Sequence, residues 1–138
     1  MSRRDNYHDI VKEALIREGW KITHDPYKFQ SSPELTTDLG AERPIAAERN
    51  SEKIAVEVKS FLSVSRIADL EKAIGQYVLY AALLRRQEPE RVLYLAVPRY
   101  AFNTVFATQV GKVAIESFEL RLIVFSIEEE EELLWKVN

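Results

Sequence analysis

The 138-residue sequence predicts an α/β protein, a single domain in which helices flank a central mixed β-sheet. Two segments, residues 5–18 and 67–86, carry helical periodicity, and between them the runs 20–29, 45–48 and 54–58 read as strands. An apolar, β-branched run, Arg91 to Val97, follows the second helical segment. The second helix therefore reads as a strand–helix–strand crossover attached to an antiparallel meander. The length suits one domain with a substantial core. Hydrophobic content of 46% and charged content of 30% are those of a globular protein. Without cysteine, disulfides and thiolate metal sites are excluded. No apolar run approaches a membrane span and no signal-peptide h-region opens the chain, so a cytoplasmic protein without a membrane partner is expected.

In chain order, Ile10, Val11, Ala14 and Leu15 form the apolar stripe of a first helix, with Asp5 as its cap and Gly19 just past its end. Trp20 to Phe29 predicts a strand broken or bent at Asp25-Pro26. Residues 31–36 are polar and irregular. The runs Ile45–Glu48 and Ile54–Val58, split by Arg49-Asn50-Ser51, read as a β-hairpin. Ser65 caps a second helix to about Arg86, which should pack through Leu70, Ile74 and Val78. Arg91–Val97 is a buried strand, Tyr100–Glu116 a helix, Leu120–Phe125 another buried strand and Leu133–Val137 a last edge strand. The aromatic residues Phe61, Tyr77, Tyr94, Tyr100, Phe102 and Phe106 exceed what one small core needs; an exposed aromatic patch and a homodimer are therefore expected.

The net charge is −3, which argues against broad electrostatic capture of nucleic acid. The acid is concentrated, however: without the five glutamates Glu128 to Glu132, a solvated turn or strand end by its composition, the rest of the chain carries +2. A basic face from Arg85, Arg86, Arg91 and Arg99 stays compatible with the sequence.

The chemistry concentrates between Asp38 and Lys59. On the strand Ile54–Val58, side chains alternate, so Glu57 and Lys59 project from one face about 7 Å apart. A carboxylate pair supplies hard oxygen ligands for Mg²⁺ or Mn²⁺, and a neighbouring lysine can orient a water or stabilise charge at phosphorus. Alternating glutamate and lysine also occur on ordinary solvated strands. If Asn50-Ser51 centres a tight turn, Glu57 faces Pro44. Bringing Asp38 to Glu57 then needs a bend near Gly40 or Pro44, or a wider loop; otherwise Glu42, pairing near Lys59, is the reserve second acid. Glu13 is a further reserve acid, although an i,i+4 ion pair with Arg17 explains it as well. His8 reads as a helix-surface histidine and His24-Asp25 as part of a turn.

The pattern Asp38, then Glu57-Val58-Lys59, resembles the PD-(D/E)XK nuclease superfamily, whose restriction-endonuclease-like core runs α-β-β-β-α-β. Thr37 stands where that motif has proline, so its first half is degenerate. Gln76 and Tyr80 match the Q-x-x-x-Y spacing that accompanies ExK in RecB-like nucleases, while a surface glutamine and a half-buried tyrosine are the plainer reading. The stretches RDNYHDIVKEALIREGWKITHDPY, LGAERPIAAERNSEKIAVEVKSF, AIGQYVLY and RVLYLAVP are together similar to the XisH family, the fdxN-element excision controlling factors of cyanobacteria. That resemblance implies a role in programmed DNA excision during heterocyst differentiation, beside a site-specific recombinase and the companion factor XisI. It implies a candidate catalytic set of Asp38, Glu57, Lys59 and Gln76, with Asp38 and Glu57 as metal ligands. Two functions follow as expectations: a metal-dependent DNA endonuclease, or a non-cleaving regulatory module on the same scaffold that binds the recombinase, XisI or DNA.

Overall fold

The computed structural model describes residues 3–45, 51–128 and 132–137. Helix α1 (Arg3–Arg17) leads into strands β1 (Lys21–His24), β2 (Tyr27–Lys28), β3 (Thr36–Thr37), β4 (Leu39–Pro44) and β5 (Ser51–Val58). Helix α2 (Arg66–Gln87) follows, then β6 (Arg91–Pro98), α3 (Arg99–Asn103), a 3₁₀ turn at Val105–Ala107, α4 (Gln109–Ser117), β7 (Leu122–Phe125) and β8 (Leu134–Lys136). Six strands form one sheet in the order β1-β4-β5-β6-β7-β8, and β2 pairs with β3 beside it. The pairs β1/β4, β4/β5 and β7/β8 are antiparallel; β5/β6 and β6/β7 are parallel. The expected meander and crossover are both present. A central mixed sheet flanked by helices is thus the architecture.

Alternation along the central strands divides the core into two layers. Ala55, Leu93, Leu95, Val97, Leu122 and Val124 face α2, α3 and α4. Ile54, Val56, Val58, Tyr94, Ala96, Ile123 and Phe125 face α1 through Val11 and Leu15. Strands buried on both sides read as continuous apolar runs, which is why β6 and β7 are legible in the sequence. Helix α2 starts where Ser65 Oγ accepts the Ala68 N–H at 3.1 Å. It packs through Leu70, Ala73, Tyr77, Tyr80 and Leu84, a three-four spacing along one face. Val78 lies off that stripe, 45% exposed, and Ile74 is only partly buried.

Several expectations are corrected. The first strand of the hairpin is Leu39–Pro44; Ile45 is outside it and residues 46–48 lie outside the described residues. The chain between β4 and β5 is longer than a tight turn, so Pro44 pairs with Ser51 and the register slides. Thr36, at the end of the segment 31–36 expected to be irregular, pairs with Lys28, and the adjacent Thr37 pairs with Tyr27. The helix expected over 100–116 is divided into α3, the 3₁₀ turn and α4. Thr104 Oγ1 donates to the Tyr100 carbonyl, and Thr108 Oγ1 accepts the Gly111 N–H to start α4 afresh. Of the aromatics expected to make a patch, Phe61, Tyr77, Tyr94 and Phe106 are buried and Tyr100 and Phe102 are packed against the core. Arg91 is 5% exposed and belongs to the interior, not to a basic face. Of the glutamate run, Glu129 to Glu131 lie outside the described residues. No helix among the described residues is long and apolar enough to cross a membrane.

Two glycines should respond oppositely to alanine. A Cβ on Gly111 would stand 2.3 Å from the Val105 carbonyl oxygen, backbone that cannot yield. Gly111→Ala should therefore lose about 1–3 kcal/mol. Gly75, inside α2, has nothing within 4 Å of its virtual Cβ. Gly75→Ala should gain roughly 0.5–1 kcal/mol from the unfolded chain's reduced freedom. Urea melts of the two variants against the parent chain check both signs.

Candidate active site

The β4/β5 register brings the two acids together. Leu39 pairs with Val56, and one step further along the same register Asp38 stands opposite Glu57. Both are buried, Asp38 9% and Glu57 4% exposed. Asp38 leaves the strand ladder, and its carboxylate takes over part of the ladder's work. Its Oδ2 accepts the Val58 N–H at 2.7 Å. That hydrogen bond satisfies a buried backbone donor and holds the carboxylate in place.

Glu57 projects from the face of β5 that Ala55 shares, the face covered by α2. Its Oε2 lies 3.1 Å from Lys59 Nζ, and its Oε1 lies 2.7 Å from the Thr37 hydroxyl. Thr37 Oγ1 is also 3.1 Å from the Val56 carbonyl. One hydroxyl proton serves one of these two acceptors at a time. Burial pushes the Glu57 carboxyl above its ordinary range and the charge of Asp38 adds to the push, while Lys59 and Thr37 oppose it. A protonated Glu57 donates to Thr37 and frees the Thr37 proton for Val56.

Helix α1 closes the site from the other side. His8 lies with Nε2 2.9 Å from Asp25 Oδ1 and Nδ1 3.8 Å from Asp38 Oδ1. Lys12, one turn along, is 2.7 Å from Asp25 Oδ2. Burial raises the Asp25 carboxyl, but the Lys12 hydrogen bond and the neighbouring His8 together outweigh it and hold the carboxyl below its usual range. Asp25 thus anchors His8, and His8 faces Asp38. None of this was expected from the sequence, where His8 read as a surface residue and Asp25 as a turn. The available signal was the four-residue spacing of His8 and Lys12, which puts both on one side of α1.

The reserve acids are elsewhere. Glu42 pairs with Lys53 and Lys21, not near Lys59, because the register slides with the wider loop. It faces a separate cluster, 3.8 Å from Lys53 Nζ and 3.9 Å from Arg91. In that cluster the buried Arg91 holds Glu88 at 2.7 Å and lies over the Tyr27 ring at 5.1 Å. The Arg91 hydrogen bond leads the effects that hold the Glu88 carboxyl down at about 2. Glu13 is exposed, and among the described residues it forms no ion pair with Arg17. Gln76 is half-buried on α2, with Oε1 buried and without a hydrogen-bond partner. Tyr80, one turn on, is a core residue against Phe29 at 5.1 Å between ring centroids.

Beyond Lys59 the chain turns sharply. Phe61 takes φ 54, the left-handed region, at a cost of about 1–2 kcal/mol for a bulky side chain. Its ring, packed edge-on against Phe106 at 5.5 Å, holds the turn. Among the described residues no three His, Asp or Glu side chains are arranged to hold a metal ion. Two carboxylates alone still fit Mg²⁺, which keeps several waters and takes one or two carboxylates beside phosphate oxygens.

Comparisons with known proteins agree with one another. A structure of an XisH family protein from Nostoc punctiforme PCC 73102 is 39% identical, covers 97% of this chain and 100% of that one, and superimposes with a TM-score of 0.85. A structure of an fdxN element excision controlling factor protein from Anabaena variabilis is 38% identical over 97% and 99% of the two chains, with a TM-score of 0.83. No curated protein matches the chain. The family model described as XisH protein matches residues 1–133. With nearly its whole length inside that match, the chain belongs to the XisH family.

Proposed function

We propose that this chain serves in the control of fdxN-element excision as a metal-dependent, endonuclease-like factor acting on DNA, on a restriction-endonuclease-like core. The similar protein from Anabaena variabilis carries the excision-controlling name. The order α1, antiparallel β1-β4-β5, α2, parallel β6 supports the core reading. One observation carries the chemistry: Asp38 and Glu57 are buried side by side with Lys59 Nζ 3.1 Å from Glu57. Burying two like charges is costly, and a fold retains such a pair where a cation or a reaction uses it.

A divalent cation at this pair supplies Lewis-acid polarisation of the phosphate and activation of a water. Asp38 and Glu57 would hold it, Asp38 kept in position by the Val58 N–H and Glu57 by Thr37. Lys59 places its ammonium beside Glu57, where it donates to the attacking water or to a non-bridging phosphate oxygen. In hydrolysis the water oxygen bonds to phosphorus, the bond to the leaving strand's oxygen breaks, and that oxygen takes a proton. Gln76 offers its unpartnered carbonyl oxygen as a further hydrogen-bond acceptor from α2.

Thermal melts test the metal site. Mn²⁺ should raise the melting temperature of the parent chain by mass action and leave Glu57→Ala unmoved. Lys59→Ala should keep the metal-induced shift and lose cleavage of DNA, because the ammonium acts on water or phosphate and not on the ion. A parent chain with no metal shift and no cleavage of single-stranded, duplex or branched DNA would assign it instead to the non-cleaving regulatory module.

A pH series tests the buried acid pair without metal. The folded-state pKa of Glu57 is raised, so its contribution to stability is present below the ordinary glutamate range and is lost as pH rises through the raised value. Glu57→Gln, neutral at every pH, should melt above the parent chain at neutral pH. The difference should shrink as pH falls toward the ordinary glutamate pKa. Equal melting temperatures at neutral pH would show that burial exacts no charge penalty at Glu57.

A further inference from the structure

Beside Lys59 lies a second polar recess that the metal-site chemistry does not use. It is a cavity of about 190 Å³ between α1, the turn after β5 and the first turns of α2, lined by Tyr7, Lys59, Ser60, Phe61, Asp69 and Lys72. At ~30 Å³ per water this is room for about six waters. It falls below the ~300 Å³ at which pockets for drug-sized ligands begin. A recess of this size suits a small anion.

The charges favour an anion. Lys72 is exposed and makes no ion pair with any described residue. Lys59 reaches the recess from the metal-site side. The one acid in the lining, Asp69, is partly engaged by the Ser63 N–H at 3.1 Å from Oδ2. The Ser60 carbonyl, which would repel an anion, accepts the Tyr100 hydroxyl. The left-handed Phe61 fixes the turn that forms one wall, and strain of this kind persists where the surroundings over-determine it.

We propose that this recess is a second phosphate subsite, in which Lys72 binds the phosphate next to the scissile one on the strand being cut. The inference rests on the DNA-cleaving reading of Asp38, Glu57 and Lys59. Lys59 lies between the two positions, with one ammonium serving the reacting phosphate and the other, on Lys72, the neighbour. Lys72 is a binding residue, not a catalytic one. Such a subsite fixes where along a strand the cut falls and tolerates any base there, because a phosphate carries no sequence information.

The salt dependence of binding reads the contact directly. Fluorescently labelled single-stranded and duplex oligonucleotides are titrated with the parent chain, Lys72→Ala, Lys72→Arg and Lys112→Ala in Ca²⁺ over a range of salt. Loss of one phosphate contact should lower the slope of log K against log salt by about 0.7 on single strands and about 0.9 on duplex. Lys72→Ala should show that loss. Lys72→Arg should restore the parent slope, and Lys112→Ala, on α4 and outside the recess, should leave it unchanged. The Mn²⁺ melting shift should be the same in Lys72→Ala as in the parent chain. A parent slope in Lys72→Ala, an equal loss in Lys112→Ala, or no DNA binding by the parent chain would each overturn the subsite. A slope loss confined to Lys72→Ala in a protein without metal shift or cleavage would keep the phosphate subsite and sink the nuclease reading.

Discussion

Two carboxylates held side by side in a nearly dry place are the constraint around which this end of the molecule is arranged. Asp38 and Glu57 come from facing strands, and each charge raises the cost of the other. The surroundings compensate group by group. A backbone N–H from Val58 serves Asp38, an ammonium from Lys59 serves Glu57, and the Thr37 hydroxyl bridges Glu57 to the strand. His8 is set toward Asp38 by Asp25, which Lys12 in turn secures. None of these partners is far in space, yet they come from α1, the β1–β2 turn, β3 and β5.

The sheet makes that convergence possible. The parallel strands β5 and β6 run together, and the chain leaves β5 at the acids. Helix α1 packs on one face and α2 on the other, so the first turns of both helices reach the edge where β5 ends. Tyr7 from α1 and Lys72 from α2 line one recess for this reason. At the other end of β5 a different polar cluster forms around the buried Arg91. There Glu88, Tyr27 and the Ile54 carbonyl satisfy the guanidinium. Arg91 and Lys53 there lie against Glu42, Glu88 and Glu90, whereas at the acid pair Lys59 lies against Glu57 and His8 faces Asp38.

Similarity over nearly the whole chain places the protein in its family. The geometry of Asp38, Glu57 and Lys59 speaks to chemistry, and it would do so in a chain with no relatives. Alternation on a strand is a local property and led to Glu57 and Lys59, whereas Asp38 became a candidate through the resemblance of its spacing to the PD-(D/E)XK pattern, with Glu42 in reserve. Neither led to His8, Asp25 or Thr37, whose significance depends on partners distant in the chain.

By itself the sequence determined the elements whose signals are local. The extent of α2 and its Ser65 cap, the buried runs β6 and β7, and the shared face of Glu57 and Lys59 follow from local signals, above all the periods of 3.6 and 2, while the packing face of α2 turned from Ile74 and Val78 to Ala73, Tyr77 and Tyr80. Tertiary structure decided which acid stands opposite Glu57. A tight turn would have put Pro44 there; the wider connection between β4 and β5 puts Asp38 there and sends Glu42 to Lys53 and Arg91. Register is a relation between two strands, set by the length of the chain joining them and by what each face buries, and no local pattern on either strand contains it.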